Sequence, residues 1–124
     1  MTIITICTEN YRDAIDFVLP SWLRHADKVA MFTDFKYSDP DSRVHVHNTI
    51  KKNTSYATIA YEYGPFDMIF IDGRRRVECA IVAKQVISPG GVIMLHDKNR
   101  ENYMRPLRPH IKIIEEGEKT IVFR

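Results

Sequence analysis

The amino-acid sequence predicts an α/β fold: a three-layer, doubly wound domain with a mostly parallel sheet and a C-terminal antiparallel hairpin. Two near-continuous apolar runs, Phe66–Asp72 and residues 91–95, are typical of strands that are covered on both faces. A helical pattern over residues 75–87 joins them, as a parallel crossover requires. Near the C-terminus, two short apolar segments flank residues 116–119, a pattern that indicates a hairpin.

The first half of the chain predicts three strands and one long helical region. Residues 2–7 and 28–33 are apolar enough for two strands, and residues 11–26 between them have apolar side chains at close to helical spacing. Pro20 predicts a kink there, or two shorter helices. Residues 44–48 alternate apolar residues with histidine and predict a third strand. Its connection, residues 34–43, is short for a parallel crossover, so its place in the sheet is left open.

The second half predicts two further helices and the hairpin. Residues 54–63 predict a helix that Gly64 and Pro65 end. The helix over residues 75–87 is expected to pack through one face, and residues 88–91 to turn the chain into the next strand. A short helix is expected within residues 98–103, and the hairpin strands over residues 111–115 and 120–123. The packing face predicted for the long helix consists of Val77, Ala80, Ile81, Lys84 and Ile87.

Composition predicts one domain, residues 1–124, of ordinary globular type. Apolar residues make up 44% and charged residues 27% of the 124 residues, and no segment approaches a membrane span. We therefore expect a cytoplasmic protein with no membrane partner. The net charge of +2, from 18 basic and 16 acidic residues, gives no reason to expect a nucleic-acid partner. Cys7 and Cys79 have no framework spacing and predict buried free thiols.

Three polar residues follow two neighbouring predicted strands. Asp72 ends one strand, and His96 and Asp97 end the next. Ligands of open parallel sheets bind beyond the carboxyl ends of the strands, so we expect these three side chains to face one crevice. His96 is a candidate general base, or a hydrogen-bonded histidine without chemistry. Asp72 and Asp97 are candidate Mg²⁺ ligands, or caps of the turns that follow them.

Other candidate groups lie nearby or elsewhere in the sequence. Residues 74–76 are three consecutive arginines that could hold a phosphate or carboxylate, and Arg74 is the residue we choose; a solvated helix start is the alternative. Residues 9–11 follow the first strand and could contact a ligand or cap a helix. His45 and His47 share one face of a strand and could bind a metal only with a third ligand.

The second half of the chain resembles the class I S-adenosylmethionine-dependent methyltransferases, which have a Rossmann-like fold. Residues 66–73 resemble that family's fourth strand, residues 87–97 its fifth-strand motif and residues 100–103 the turn that follows. The stretch Asp-Gly-Arg-x-Arg-Val-x-Cys-Ala, residues 72–80, is close to a small-molecule or sugar-directed branch. In the first half, the turn at residues 7–11 contains no glycine, whereas the family's turn is rich in glycine.

The resemblance implies the following cofactor and site residues. S-adenosylmethionine would be the cofactor, and Asp34 matches the acid that hydrogen-bonds its ribose. His96, Asp97 and Asp72 would face the acceptor, Arg74 and Tyr103 would bind the substrate, and Asp72 and Asp97 match positions that hold Mg²⁺ in metal-dependent relatives. The full set implied for the cofactor is Thr8, Glu9, Asn10, Asp34 and Asp72.

The leading functional hypothesis is methyl transfer to a hydroxyl or similar group of a small-molecule substrate, with a sugar as one option. One alternative is a catalytically degenerate domain that binds a nucleotide-like ligand or a protein partner. A third is a nucleotide-sugar glycosyltransferase-like domain, since residues 3–34 resemble its start and residues 39–41 superficially resemble its metal motif, although these acids come too early in the chain. A minimal domain could expose helix or sheet faces, so a homo-oligomer is also expected.

Overall fold

A computed structural model describes residues 2–7, 19–33, 38–48, 55–72 and 75–124, with the backbone alone for residues 2–7, 33, 48, 55 and 56. Within these ranges, seven strands form one sheet with the order β3-β2-β1-β4-β5-β7-β6. The strands, in chain order, are β1 Thr2–Cys7, β2 Lys28–Thr33, β3 Val44–Asn48, β4 Phe66–Asp72, β5 Ile87–His96, β6 Ile113–Glu116 and β7 Thr120–Phe123.

Helices connect most of these strands. Residues 19–23 are helical and are called α1 here, and α2 (Ser55–Thr58) continues as a 3₁₀ helix over Ile59–Glu62. Helix α3 (Arg76–Val86) crosses from β4 to β5. Helix α4 (Glu101–Leu107) follows β5 and continues as the 3₁₀ turn Arg108–His110. In the ranges that the structure describes, no helix combines the length and apolarity needed to cross a membrane.

The sheet is mixed, which confirms the α/β class. Strands β1 to β5 pair in parallel, whereas β7 pairs antiparallel with both β5 and β6. The strand order reverses direction between β1 and β4, where Cys7 pairs with Asp72. Open sheets of this kind bind ligands at such a reversal point, beyond the carboxyl ends of the strands. Asp72 therefore lies at the position where a ligand site is expected.

The third strand lies at one edge of the sheet, parallel to β2, from Val29 opposite Val44 to Thr33 opposite Asn48. Arg43 fixes the end of the short connection. Its Nη1 donates to the carbonyl of Leu23 at 2.7 Å, and its Nη2 donates to the Asp41 carboxylate at 2.8 Å. A charged side chain thus anchors β3 to the end of α1, which explains how so short a connection holds its position.

Apolar residues cover both faces of the sheet. In β2, Ala30 and Phe32 belong to a large core cluster together with residues of α3, whereas Val29 and Met31 belong to a second cluster together with Leu19 of α1. Successive side chains of a strand point to opposite faces, so the two clusters lie on opposite sides of the sheet. The large cluster supports the carboxyl ends of β4 and β5 through Ile71 and Leu95, both fully buried.

Two predicted element boundaries are wrong. Strand β5 begins at Ile87 and not at Gly91. The predicted turn lies within the strand, because Gly90 adopts a φ of 80° and the pairing with β4 is irregular there. Helix α4 does not end before Pro106 but includes it and ends at Leu107. Its buried residues Met104 and Leu107 pack in the large core cluster, which accounts for helix continuing past the proline.

Candidate functional site

The ends of β4 and β5 bring three predicted site residues together. Asp72 is buried at the end of β4, His96 ends β5, and Asp97 follows with a φ of 64° in the left-handed region. The Nδ1 atom of His96 lies 3.2 Å from Oδ1 of Asp72 and 3.5 Å from Oδ1 of Asp97. One atom that could bind a metal ion, a nitrogen of His96 or a carboxylate oxygen of Asp72 or Asp97, comes from each residue, and these atoms lie within 4.8 Å of one another. They form one compact polar cluster.

Arg76, the last of the three consecutive arginines considered in the sequence, completes this cluster, whereas Arg74, the residue chosen there for substrate binding, lies outside the described part of the chain. The Arg76 side chain is only 3% exposed. Nη2 lies 3.2 Å from Oδ1 of Asp72, and Nη1 lies 2.9 Å from Oδ2 of Asp97. Nη1 also donates to the main-chain carbonyl of His96 at 2.7 Å. One guanidinium therefore joins the end of β4 to the end of β5, as its forked donors allow.

The local fold explains why Arg76 is buried. Arg75 adopts the left-handed conformation, with a φ of 51°, immediately before α3, and Arg76 is the first residue of the helix. Cys79, Ala80 and Ala83 lie three, four and seven residues later, and all are buried. This spacing defines one helix face, and Arg76 shares it. Arg76 therefore begins the face of α3 that packs in the large core cluster.

The packing face predicted for α3 is therefore wrong in part. Ile81 is 43% exposed and Lys84 is exposed, whereas Arg76, Cys79, Val82 and Val86 are buried. Val77, Ala80 and Ile87 of the predicted face do pack in the large core cluster, so the buried face is displaced from the predicted one and not opposite to it. The spacing of cysteine and alanine after Arg76 is the signal that could have identified both the face and the buried arginine.

Tyr103 of α4 forms a side of the same cluster. The centre of its ring lies 5.3 Å from Cζ of Arg76 and 5.8 Å from Cζ of Arg100, so two cations flank one aromatic ring. Nε of Arg100 lies 3.7 Å from Oδ2 of Asp97 and is more exposed than Arg76. The ring is half-buried, so part of it remains available at the rim of the site.

The environment of Asp72 perturbs its titration. Burial raises the pKa of its carboxyl above the usual value, and the positive charges of His96 and Arg76 oppose this effect without cancelling it. The Asp72 carboxylate accepts a hydrogen bond when His96 carries its proton on Nδ1. In that neutral tautomer Nε2 has the lone pair, so His96 can accept a proton there.

Comparison with solved structures identifies methyltransferases. MycE, the methyltransferase from the mycinamycin biosynthetic pathway, solved with Mg and SAH, matches with a TM-score of 0.70 at 13% identity, over 99% of this chain and 44% of MycE. CalS11, a TDP-rhamnose 3'-O-methyltransferase of calicheamicin biosynthesis, matches with a TM-score of 0.62 at 6% identity, over 99% of this chain and 70% of CalS11.

A ribosomal RNA methyltransferase from Plasmodium falciparum matches with a TM-score of 0.54 at 14% identity, over 98% of this chain and 83% of that one. The chain has a class I methyltransferase-like fold. No protein-family model and no curated protein sequence matches it. The chain spans less than half the length of MycE, and these low identities establish the fold alone.

In this methyltransferase-like fold, Asp72, His96, Asp97 and Tyr103 lie together at the carboxyl ends of β4 and β5, as the sequence predicted for the first three. The other predicted site residues lie outside the described part of the chain. They are Thr8, Glu9, Asn10 and Asp34 for the cofactor and Arg74 for the substrate.

His47 and Cys79, which the sequence also singled out, take no part in the cluster. The imidazole of His47 stacks on Phe32, with ring centres 5.1 Å apart, and contacts Tyr63 at 4.2 Å. Burial lowers the pKa of His47, which favours its neutral form within this aromatic group. Cys79 is buried in α3, as predicted, while the side chain of Cys7 is outside the described part.

Proposed function

We propose that this chain is an S-adenosylmethionine-dependent methyltransferase that acts on a hydroxyl or similar group of a small molecule such as a sugar. The observation that carries the proposal is the contact of 3.2 Å between His96 Nδ1 and Asp72 Oδ1, at the ligand-binding edge of a class I methyltransferase-like fold. The described activities of MycE and CalS11 support methyl transfer to a small molecule.

The register of the sheet supports the cofactor assignment. Cys7 at the end of β1 pairs with both Thr33 and Asp72. The predicted cofactor residues Thr8 and Asp34 follow Cys7 and Thr33 directly in the sequence. The cofactor, when bound, would supply an electrophilic methyl group. The residues after β1 and β2 would hold its methionine and ribose parts, at the same edge of the sheet as the cluster at the end of β5.

On the acceptor side, we assign proton transfer to His96. Its Nε2 would accept the proton of the acceptor hydroxyl while the oxygen is methylated. Asp72 would hold the imidazole through Nδ1 and stabilise the imidazolium that forms. Asp97 and Tyr103 would border the acceptor. Because the reaction is a displacement in line, orientation of the acceptor contributes much of the rate.

No step of this proposal goes through Mg²⁺. MycE was solved with this ion, and Asp72 and Asp97 are the ligands predicted for it in this chain. Both carboxylates, however, accept hydrogen bonds from Arg76. These residues do not fit a divalent cation as they stand, because a buried guanidinium already lies against one oxygen of each carboxylate, in the space between them.

Calorimetric titration with S-adenosylmethionine and its demethylated product tests the proposal. We expect binding of both, and loss of binding in Asp34→Ala but not in Glu118→Ala, which changes an exposed acid near the β6–β7 turn. Absence of binding at millimolar ligand would reject the proposal. Binding that Asp34→Ala leaves unchanged would reject the assigned pocket.

Transfer itself requires a second measurement. Hydroxyl-bearing small molecules, including nucleotide sugars, would be incubated with the protein and the cofactor, and addition of one methyl group followed by mass spectrometry. A protein that binds the cofactor without methylating any acceptor would favour the non-catalytic alternative. The doubly wound Rossmann-like layering, the cytoplasmic location, the absence of a nucleic-acid partner and self-association also remain predictions.

A further inference from the structure

A buried cation lies between the two carboxylates that were predicted to hold a metal ion. The Arg76 guanidinium contacts Asp72 Oδ1 at 3.2 Å with one nitrogen and Asp97 Oδ2 at 2.9 Å with the other. We propose that Arg76 takes the place of a divalent cation here, so that this site holds no metal ion between Asp72 and Asp97. The inference concerns the site of the proposed function. The absence of a metal ion follows from the contacts of Arg76, and only the role of Arg76 in catalysis rests on the proposed function.

The first argument is that Arg76 cannot easily leave this position. Its side chain is 3% exposed, and Nη1 also donates to the carbonyl of His96 at 2.7 Å. It is the first residue of α3, whose face continues through buried Cys79 and Ala80. Displacing the guanidinium would require movement of the start of a packed helix. A buried charge that loses its partners is also strongly destabilising.

The second argument is the charge of the cluster. Two carboxylates without Arg76 would carry a charge of about −2, a strong attraction for a divalent cation, whereas one guanidinium reduces it to about −1. The amino-terminal end of α3 lies at the same place and adds a partial positive charge. A divalent ion between Asp72 and Asp97 would therefore lie close to two positive groups in a largely buried site.

The third argument is that one oxygen of each carboxylate already accepts a hydrogen bond from Arg76. Oδ1 of Asp72 accepts from Arg76 and faces His96 Nδ1, and Oδ2 of Asp97 accepts from Arg76 with Arg100 at 3.7 Å. Nδ1 of His96 faces a carboxylate on both sides, which suits a proton donor and not a metal ligand. Magnesium also prefers a shell of oxygen ligands and water.

Arg76 then acts as a positioning residue. It holds the carboxylate that orients His96, and it holds the main chain of His96 itself through the carbonyl. Through these contacts Arg76 fixes the main chain of His96 directly and the orientation of its imidazole by way of Asp72. The replacement of a divalent cation by Arg76 can be tested by ion binding, without any turnover of substrate.

The test is titration of the purified protein with Mn²⁺, a spectroscopic substitute for Mg²⁺, with free Mn²⁺ followed by electron paramagnetic resonance. We expect the wild type and Asp97→Asn to take up equal amounts of Mn²⁺, because no Mn²⁺ binds between Asp72 and Asp97 in the wild type. Arg76→Gln should bind Mn²⁺ at least about tenfold more tightly than the wild type, because a positive charge a few ångströms from the ion is gone. Adding Asp97→Asn to Arg76→Gln should remove this binding again.

Arg108→Gln is the matched control, because it removes an exposed arginine from an ion pair with Glu101 and should leave Mn²⁺ uptake unchanged. Mn²⁺ binding by the wild type that Asp97→Asn abolishes would overturn the proposal. A folded Arg76→Gln protein that fails to bind would overturn it as well. If circular dichroism shows that Arg76→Gln does not fold, the wild type and Asp97→Asn decide: equal uptake supports the proposal and reduced uptake in Asp97→Asn rejects it. Cofactor binding is measured separately, so failure of the proposed function would remain distinguishable.

Discussion

His96 and Asp72 form a hydrogen-bonded pair across the ends of two neighbouring strands, with Nδ1 3.2 Å from Oδ1. Asp72 is buried whereas His96 is partly exposed, so the acid supports the histidine from the protein side and leaves it within reach of a ligand. The pair depends on the alignment of β4 with β5, which pair from Met68 opposite Val92 to Ile71 opposite Leu95.

Replacing His96 should remove the proposed base. We expect His96→Ala to lower kcat for methyl transfer by about 10²- to 10⁴-fold while cofactor affinity changes little, because the imidazole would act on the acceptor proton. The measurement is methyl transfer under saturating cofactor. His45→Ala, which removes an exposed histidine of β3, is the control and should retain activity. Equal activity of the two variants would remove His96 from the mechanism.

Arg76 should contribute far more stability than an exposed arginine. Arg76→Ala leaves two carboxylates without their shared cation and should lower the free energy of unfolding by about 3–5 kcal/mol. Arg108→Ala breaks an ion pair in which both side chains are more than half exposed, and should cost about 0–1 kcal/mol. Urea denaturation of both variants gives the comparison. Similar losses for the two would mean that the buried network contributes little.

The raised pKa of Asp72 has a defined effect on stability. Because burial raises this pKa above its unfolded value of 3.8, the folded protein binds the proton at a higher pH than the unfolded chain does. The contribution of Asp72 to the free energy of unfolding should therefore increase as the pH falls from neutral through the folded pKa toward about 4.

This effect can be isolated with Asp72→Asn, which lacks the titration. The free energy of unfolding of the wild type relative to Asp72→Asn should increase as the pH is lowered, when both are unfolded with urea. Asp67→Asn, at an exposed position of the same strand, is the control. A difference that grows in the opposite direction would show that the ion pair with Arg76 outweighs burial.

Gly91 should not tolerate a side chain. A Cβ atom there would lie 2.8 Å from the carbonyl oxygen of Asp67 and 2.7 Å from Cγ1 of Ile87. We expect Gly91→Ala to lower the free energy of unfolding by about 1–3 kcal/mol, since the backbone of β4 would have to shift. At Gly117 the nearest atom would be Thr120 O at 3.5 Å, an ordinary contact. Thermal unfolding should therefore separate Gly91→Ala from Gly117→Ala, and equal midpoints would contradict the packing.

Cys79 should be unreactive in the folded protein. It is 2% exposed, and burial, aided by the negative charge of Glu78, raises the pKa of its thiol to about 12. The thiolate is the reactive form, so labelling should be slow. Modification with a chromogenic disulfide in a Cys7→Ser background should proceed only after urea is added. Rapid labelling of the native variant would show that α3 opens readily.

Local sequence patterns were sufficient to predict much of the fold. The apolar runs of β4 and β5 end at Asp72 and His96 in the structure as in the sequence. Short-range alternation and turn residues determine such strands, so they can be identified before any tertiary contact is known. The start of β5 could not be identified, because Gly90 and Gly91 are typical of a turn and only pairing with β4 keeps them in the strand.

By itself, the sequence determined the α/β class, the carboxyl ends of β4 and β5 and the presence of Asp72, His96 and Asp97 at one edge of the sheet. Only the tertiary structure decided which arginine joins them. The predicted packing face of α3 is correct at Ala80 but includes the exposed Ile81 and Lys84 and misses Arg76, because only the contact of the helix with the rest of the fold determines which side is buried. That choice of face buries Arg76 between two carboxylates, and burial gives its charge the strength to organise the site.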